Sequence, residues 1–168
     1  SRGTSTYGGL IYLDSGSLNI NNSQFSNNGL ISDGSTVQGG AIYMGDNTSL
    51  SINGSSFDAN YIQSGSGDRK GAVIFAASGT EISIDSTSFS NHTTAQDGGV
   101  IYTSGNLDIS NSTFDNSESS SSGGAIYSTS TIDLSNTTFS SNSAGSDGGA
   151  IYLDGSLMAV NTSFSTNS

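Results

Sequence analysis

The stretch Gly148–Leu157, "GGAIYLDGSL", decides how this chain folds, because its first five letters recur. "GGAIY" also stands at Gly39–Tyr43 and Gly123–Tyr127, and close variants open at Gly8 (GGLIY), Gly71 (GAVIF) and Gly98 (GGVIY). Each of these six starts is followed by a second apolar alternation: Leu18/Ile20, Leu50/Ile52, Ile82/Ile84, Leu107/Ile109, Ile132/Leu134 and Leu157/Ala159. Five residues further on comes a phenylalanine: Phe25, Phe57, Phe89, Phe114, Phe139 or Phe164. Three residues beyond it sits Asn28, Asn60, His92, Ser117, Asn142 or Asn167. The starts are 31, 32, 27, 25 and 25 residues apart, which makes the chain a repeat array.

The repeat overrides what composition alone suggests. Only 32% of the 168 residues are hydrophobic, and Ser, Thr, Asn and Gly dominate, a profile otherwise associated with chains too poor in apolar surface to offset ordering entropy. Period-2 alternation in short runs bounded by Gly, Asn, Asp and Ser reads instead as strands, and no segment offers helical spacing over ten residues. A repeat of about 25 residues with three short strands predicts an all-β fold, a right-handed single-stranded parallel β-helix of about six rungs. Rungs ~4.8 Å apart would make a solenoid roughly 29 Å long over residues 1–168, read as a single domain. Its core is narrow, so one or two aliphatics per strand and one Phe per rung suffice. The longer inter-rung stretches 29–38 and 61–70 read as loops. The glycine pairs suit a tight corner. The Asn column suits a second corner, since Asn tolerates the left-handed region and its amides can ladder between rungs.

GGAI followed by FxxN resembles the repeat of the chlamydial polymorphic outer-membrane proteins. The resemblance covers all six rungs, with FxxN intact at Phe25–Asn28, Phe57–Asn60, Phe139–Asn142 and Phe164–Asn167 and altered at His92 and Ser117. It implies a right-handed β-helix passenger domain on a cell surface, acting as an adhesin. The membrane barrel that accompanies such passengers does not occur in this stretch.

Charge and residue inventory narrow the chemistry. A formal charge of −11 with three basic residues argues against nucleic acid and anionic membrane as partners, and no apolar run is long enough to span a bilayer. Zero cysteines removes disulfides, thiolate metal sites and cysteine nucleophiles. Polysaccharide-active β-helices need carboxylates clustered with Arg, Lys or His. Here Arg69 and Lys70 lie in an inter-rung stretch, Arg2 lies near the start, and His92 occupies the FxxN position, where it reads as a substituted corner residue. No enzyme is expected. Asp97 and Asp147 recur before a glycine pair and raise the question of Ca²⁺, but Tyr7, Gln38, Lys70 and Ser122 stand there in the other rungs, so the acids read as solvated turns and no cofactor is expected.

Two features point outward. Asn-x-Ser/Thr sequons stand at Asn21, Asn47, Asn53, Asn91, Asn111, Asn136 and Asn161, the last three in one column three residues before Phe, which would line glycans along one corner. The column Tyr12, Tyr43, Phe75, Tyr102, Tyr127 and Tyr152 would stack at rung spacing. Its face-mates two residues on are mostly polar, such as Asp14 and Asp154, whereas those of Ile11, Ile42, Ile74, Ile101, Ile126 and Ile151 are largely apolar. The comparison turns Ile inward and Tyr outward, as an interaction ladder or as a stack that only stiffens the sheet.

The chain stops just after an FxxN corner, "FSTNS", and joining that to "SRGTSTYGGLIY" closely matches the internal junction "FSSNSAGSDGGAIY". The expectation is a slice of a longer solenoid, or copies stacking head to tail through a contact that does not close. The function expected is therefore an extracellular or cell-surface structural module, a fibre or stalk bearing glycans. An adhesin or carbohydrate binder using one flank is the alternative.

Overall fold

A computed structural model describes residues 2–3, 7–31, 36–63 and 67–168. Residues 32–35 and 64–66 of the two longer inter-rung stretches, and Arg2 as a charged group, therefore lie outside the described side chains. All regular structure among the described residues is strand, and every pairing is parallel. The chain forms a right-handed parallel β-helix whose six rungs carry the expected three strands.

The first sheet gathers the GGxIY strands: Ile11–Leu13, Ile42–Met44, Ile74–Ala76, Ile101–Thr103, Ile126–Ser128 and Ile151–Leu153. The second gathers the five-residue strands Ser17–Asn21, Ser49–Asn53, Glu81–Asp85, Asn106–Ser110, Thr131–Ser135 and Ser156–Val160. The third holds the Phe strands Gln24–Ser26, Ser56–Asp58, Ser88–Ser90, Thr113–Asp115, Thr138–Ser140 and Ser163–Ser165. Pairing is in register, residue on equivalent residue, as in Phe57–Phe89–Phe114 and Leu107–Ile132–Leu157. Each inward side chain thus meets its own kind one rung away.

A fourth sheet of two- and three-residue strands follows the FxxN corner, running from Arg2–Gly3 through Gly29–Ile31, Tyr61–Gln63, Thr93–Thr94 and Glu118–Ser119 to Ser143–Ala144. The stretches 29–38 and 61–70 accordingly begin in this sheet, and they end in a further parallel pair, Val37–Gln38 on Arg69–Lys70. Burial is the reason: Leu30, Val37 and Ile62 are at most 2% exposed and make a small second core. The main core is columnar, with Ile42, Ile74, Ile101, Ile126, Phe57, Phe89, Phe114 and Phe139 all inaccessible to solvent. The Phe rings stack face to face at 4.7–5.0 Å between centroids along the whole column.

Corner chemistry corrects one expectation. The left-handed residue of the FxxN turn is the one before the Asn column, namely Asn27, Ala59, Asn91, Asn116, Ser141 and Thr166, with φ between 49° and 60°. The Asn itself turns inward and ladders. Asn60 Oδ1 accepts from the backbone N–H and the amide of Asn28, both at 3.0 Å, while Asn60 Nδ2 donates to Phe25 O at 3.1 Å. Asn142 and Asn167 repeat this arrangement on Phe114 O and Phe139 O. Each Asn side chain both accepts from and donates to the rung before it, through Oδ1 and Nδ2 respectively, which saturates buried backbone groups at the corner. At the glycine corner the first residue of the pair is left-handed throughout, with φ between 57° and 71°. A Cβ on Gly123 would lie 2.2 Å from Ile126 O, so the position demands glycine twice over.

Candidate functional surfaces

Three surfaces carry the chemistry that the sequence advertises. On the first sheet the GGxIY ladder faces outward: Tyr12 is 54% exposed, and Tyr43, Tyr102, Tyr127 and Tyr152 are half-buried, while the intervening Ile residues point into the core. The rings stack nearly parallel, with centroids 4.9 Å apart for Tyr12–Tyr43, 5.2 and 5.3 Å either side of Phe75, 4.8 Å for Tyr102–Tyr127 and 4.6 Å for Tyr127–Tyr152. Such stacking occupies both faces of every internal ring, so what the solvent meets is ring edges and hydroxyls. Neighbours cover part of the stripe: Tyr7 packs on Tyr43 at 4.9 Å, and Lys70 Nζ sits 4.8 Å from the Tyr102 centroid while pairing with Asp68 Oδ2 at 3.4 Å. Burial, and secondarily the neighbouring phenols, push the hydroxyls of Tyr43 and Tyr127 above the ordinary tyrosine range.

The second surface is the corner between the second and third sheets, where the sequons at Asn21, Asn53, Asn111, Asn136 and Asn161 stand, whereas Asn47 precedes the second sheet and Asn91 follows the third. All seven sequon Asn residues are exposed. Asn111, Asn136 and Asn161 are left-handed, with φ of 49°, 48° and 50°, and their amides form an outer ladder: Asn161 Nδ2 donates to Asn136 Oδ1, Asn136 Nδ2 to Asn111 Oδ1, and Asn111 Nδ2 to Asp85 Oδ1. The middle residue of the triplet has its own duty. Ser112 and Thr137 donate to the carbonyls of Ser110 and Ser135, and Ser112 Oγ accepts the Thr87 N–H at 3.1 Å. Ser23, Ser55, Thr87, Ser112, Thr137 and Thr162 are all hydroxyl residues two before Phe, a column that the sequence displays in every rung and that reading by sequon alone overlooks. The Asn-x-Ser/Thr pattern here therefore has a folding cause: a left-handed Asn, a carbonyl-capping hydroxyl, then an outward strand residue.

The third surface is the outer face of the second sheet, with two overlapping shallow concavities of about 280 and 320 Å³. Glu81 and Asp108 line both, and Asp133 stands in register beside Asp108. Asn106 Nδ2 donates to Glu81 Oε1 at 3.0 Å. Sheet register brings these acids to one face across gaps of 27 and 25 residues, which is why no local motif marks them.

The residues considered for catalysis and metal binding do not converge. His92 is buried in the Asn column: the Asn60 N–H donates to its Nδ1 at 3.0 Å, which puts the ring proton on Nε2, and that nitrogen meets no partner among the described residues. Burial pulls its imidazole down to about 4, against weaker upward pulls from the Asn60 carbonyl, the Asp58 carboxylate and the Phe57 carbonyl. Arg69 donates through its backbone N–H to Gln96 Oε1 at 2.8 Å, in the ribbon beside the first sheet. Asp97 accepts the Ser122 N–H, and Asp147 lies two rungs further along, roughly 10 Å away at rung spacing. No group of three or more His, Asp or Glu able to hold a metal occurs among the described residues.

Fold and surfaces together define a solenoid repeat protein of the parallel β-helix class. Within it, residues 136–154 match the family model described as the Chlamydia polymorphic membrane protein repeat. That match runs from the corner Asn136 through Phe139–Asn142 to the sixth glycine pair and its strand, so the chain resembles this repeat where every corner element is intact. No curated protein and no solved structure matches the chain.

Proposed function

We propose that this chain is a structural module of an extracellular or cell-surface solenoid, whose rungs stack end to end on rungs of their own kind to build a fibre or stalk. The observation that carries the reading is the sameness of the rung contact. Leu107–Ile132–Leu157 and Phe114–Phe139–Phe164 pair in register at 25-residue steps, so one rung is complementary to the next by construction. A contact of this head-to-tail kind extends without closing. The sixth rung carries the same set, Leu157 and Phe164, at the positions that would meet a following rung. Likeness to a chlamydial membrane protein repeat favours the cell surface, and the exposed sequons would suit glycan decoration in a secretory host. A scaffold rather than a catalyst is favoured because the single histidine serves the buried ladder.

Sedimentation velocity with negative-stain microscopy over a concentration series tests the stacking. Rods of constant width that lengthen with concentration are expected, and Leu157→Asp with Phe164→Asp should keep the fold and abolish lengthening. A chain that stays monomeric at high concentration overturns the reading. Adhesion through the tyrosine flank is the second reading, favoured by the open ring edges. Its ligand would meet hydroxyls rather than ring faces, and loss of glycan binding in Tyr102→Ser/Tyr127→Ser with folding intact would reveal it.

A further inference from the structure

We infer that the tyrosine ladder is a site of oxidative cross-linking, at which adjacent rungs can be joined covalently as dityrosine. Three tyrosine pairs stand one above the other at equivalent positions of neighbouring parallel strands: Tyr12–Tyr43, Tyr102–Tyr127 and Tyr127–Tyr152. Their ring planes lie within 1°, 8° and 15° of parallel, at 4.9, 4.8 and 4.6 Å between centroids. In-register stacking places the same edge of each ring, with its hydroxyl and the ortho carbon beside it, next to the same edge of the neighbour. These edges are the part of the ladder left open to solvent, so a diffusing oxidant reaches them while the sheet holds the partners together. Proximity of this kind favours coupling within the chain over coupling between chains.

The chemistry balances with a one-electron oxidant of the peroxidase and hydrogen peroxide class. Each phenol gives up one electron and its hydroxyl proton to become a neutral tyrosyl radical. The two radicals form one carbon–carbon bond between their ortho carbons. The hydrogens displaced from those carbons return to the two oxygens and restore the phenols. Two tyrosines and one hydrogen peroxide thus give one dityrosine and two waters. Phe75 breaks the ladder into two segments, since a ring without a hydroxyl neither loses a proton in this way nor couples, and Tyr43 and Tyr102 are each stacked on it rather than on each other.

The test is oxidation of the intact chain with peroxidase and hydrogen peroxide, followed by cleavage at Asp and Glu and mass spectrometry of the linked peptides. Acidic residues separate Tyr102 from Tyr127 and Tyr127 from Tyr152, so each link joins two otherwise distinct peptides. Expected are 12–43, 102–127 and 127–152 links, formed within monomers at a yield independent of protein concentration, and no 43–102 link. Tyr127→Phe keeps the stacked ring and should remove both links of the second segment while leaving the first. Phe75→Tyr should add links from position 75 to Tyr43 and Tyr102. Dityrosine found only between chains, or only through Tyr7 or Tyr61, or unchanged in Tyr127→Phe, overturns the inference, as does its absence from the oxidised folded chain.

Discussion

At the residue scale, His92 shows how one substitution changes a ladder without breaking it. Nδ1 takes the role that an Asn Oδ1 plays elsewhere, accepting the Asn60 N–H, but Nε2, which stands in for the amide an Asn would donate to the Phe carbonyl of the preceding rung, makes no hydrogen bond among the described residues. That has a pH consequence. The folded chain holds the ring neutral down to about pH 4, whereas an unfolded one protonates near the ordinary histidine value of 6.5. Between those limits the unfolded state binds the extra proton, so stability is full above about 6.5 and falls as pH drops toward 4, by about 3 kcal/mol. Denaturant midpoints measured across this window should drop for the native chain and stay flatter for His92→Asn, which also restores the amide ladder. Asp58 and Asp85, held below the usual carboxylate range by Asn, Ser and backbone donors, lose their contribution only as pH falls further. A Gly123→Ala change belongs to the same scale: the left-handed φ and the clash with Ile126 O should cost at least about 2 kcal/mol in chemical denaturation.

At the scale of the element, a column is worth more in its middle than at its end. Phe114 is sandwiched between Phe89 and Phe139 and inaccessible to solvent, whereas Phe164 stacks on Phe139 alone and is 48% exposed. Phe114→Ala should therefore cost about 3–5 kcal/mol and Phe164→Ala about 1 kcal/mol, read as shifts in unfolding free energy. The sequon corner is an element too. Asn111, Asn136 and Asn161 stand one rung apart, ~4.8 Å, with each amide donating to the next Oδ1. A glycan leaves one N–H on its Asn, and neighbours at that spacing would collide. Expression in a secretory host followed by glycopeptide mass spectrometry should find no molecule carrying all three. Full occupancy of the column would show that this corner yields more than its hydrogen bonds suggest.

For the whole molecule, the repeating rung contact and the charge of −11 oppose one another. In the proposed stacking, like charge along a rod would resist the apolar rung contact, and salt would screen that repulsion over about 8 Å at physiological ionic strength. End-to-end lengthening should accordingly increase with ionic strength. A decrease on adding salt would point to charge pairing at the contact. The fold was legible because it is periodic: a strand step of two residues and a rung step near 25 place Ile, Phe and Asn in columns with no long-range inference required. Less of the surfaces was legible. The acids Glu81, Asp108 and Asp133 share a groove through sheet register, and the hydroxyl column two before Phe hides among ordinary serines and threonines. The fourth sheet escaped because its strands are two or three residues long, too short to alternate.

The sequence by itself determined the rung. Paired glycines, an inward isoleucine and a Phe with its Asn partner each satisfy a local steric or hydrogen-bonding demand, and repetition multiplies that demand until one architecture answers it. Tertiary structure decided what the columns do. It moved the left-handed turn one residue ahead of the Asn column, and it spent the faces of the tyrosine rings of "GGAIY" on one another, leaving only their edges outside. Local composition specifies which groups need partners. Which partners they find depends on the rung above and the rung below, and only stacking brings those within reach.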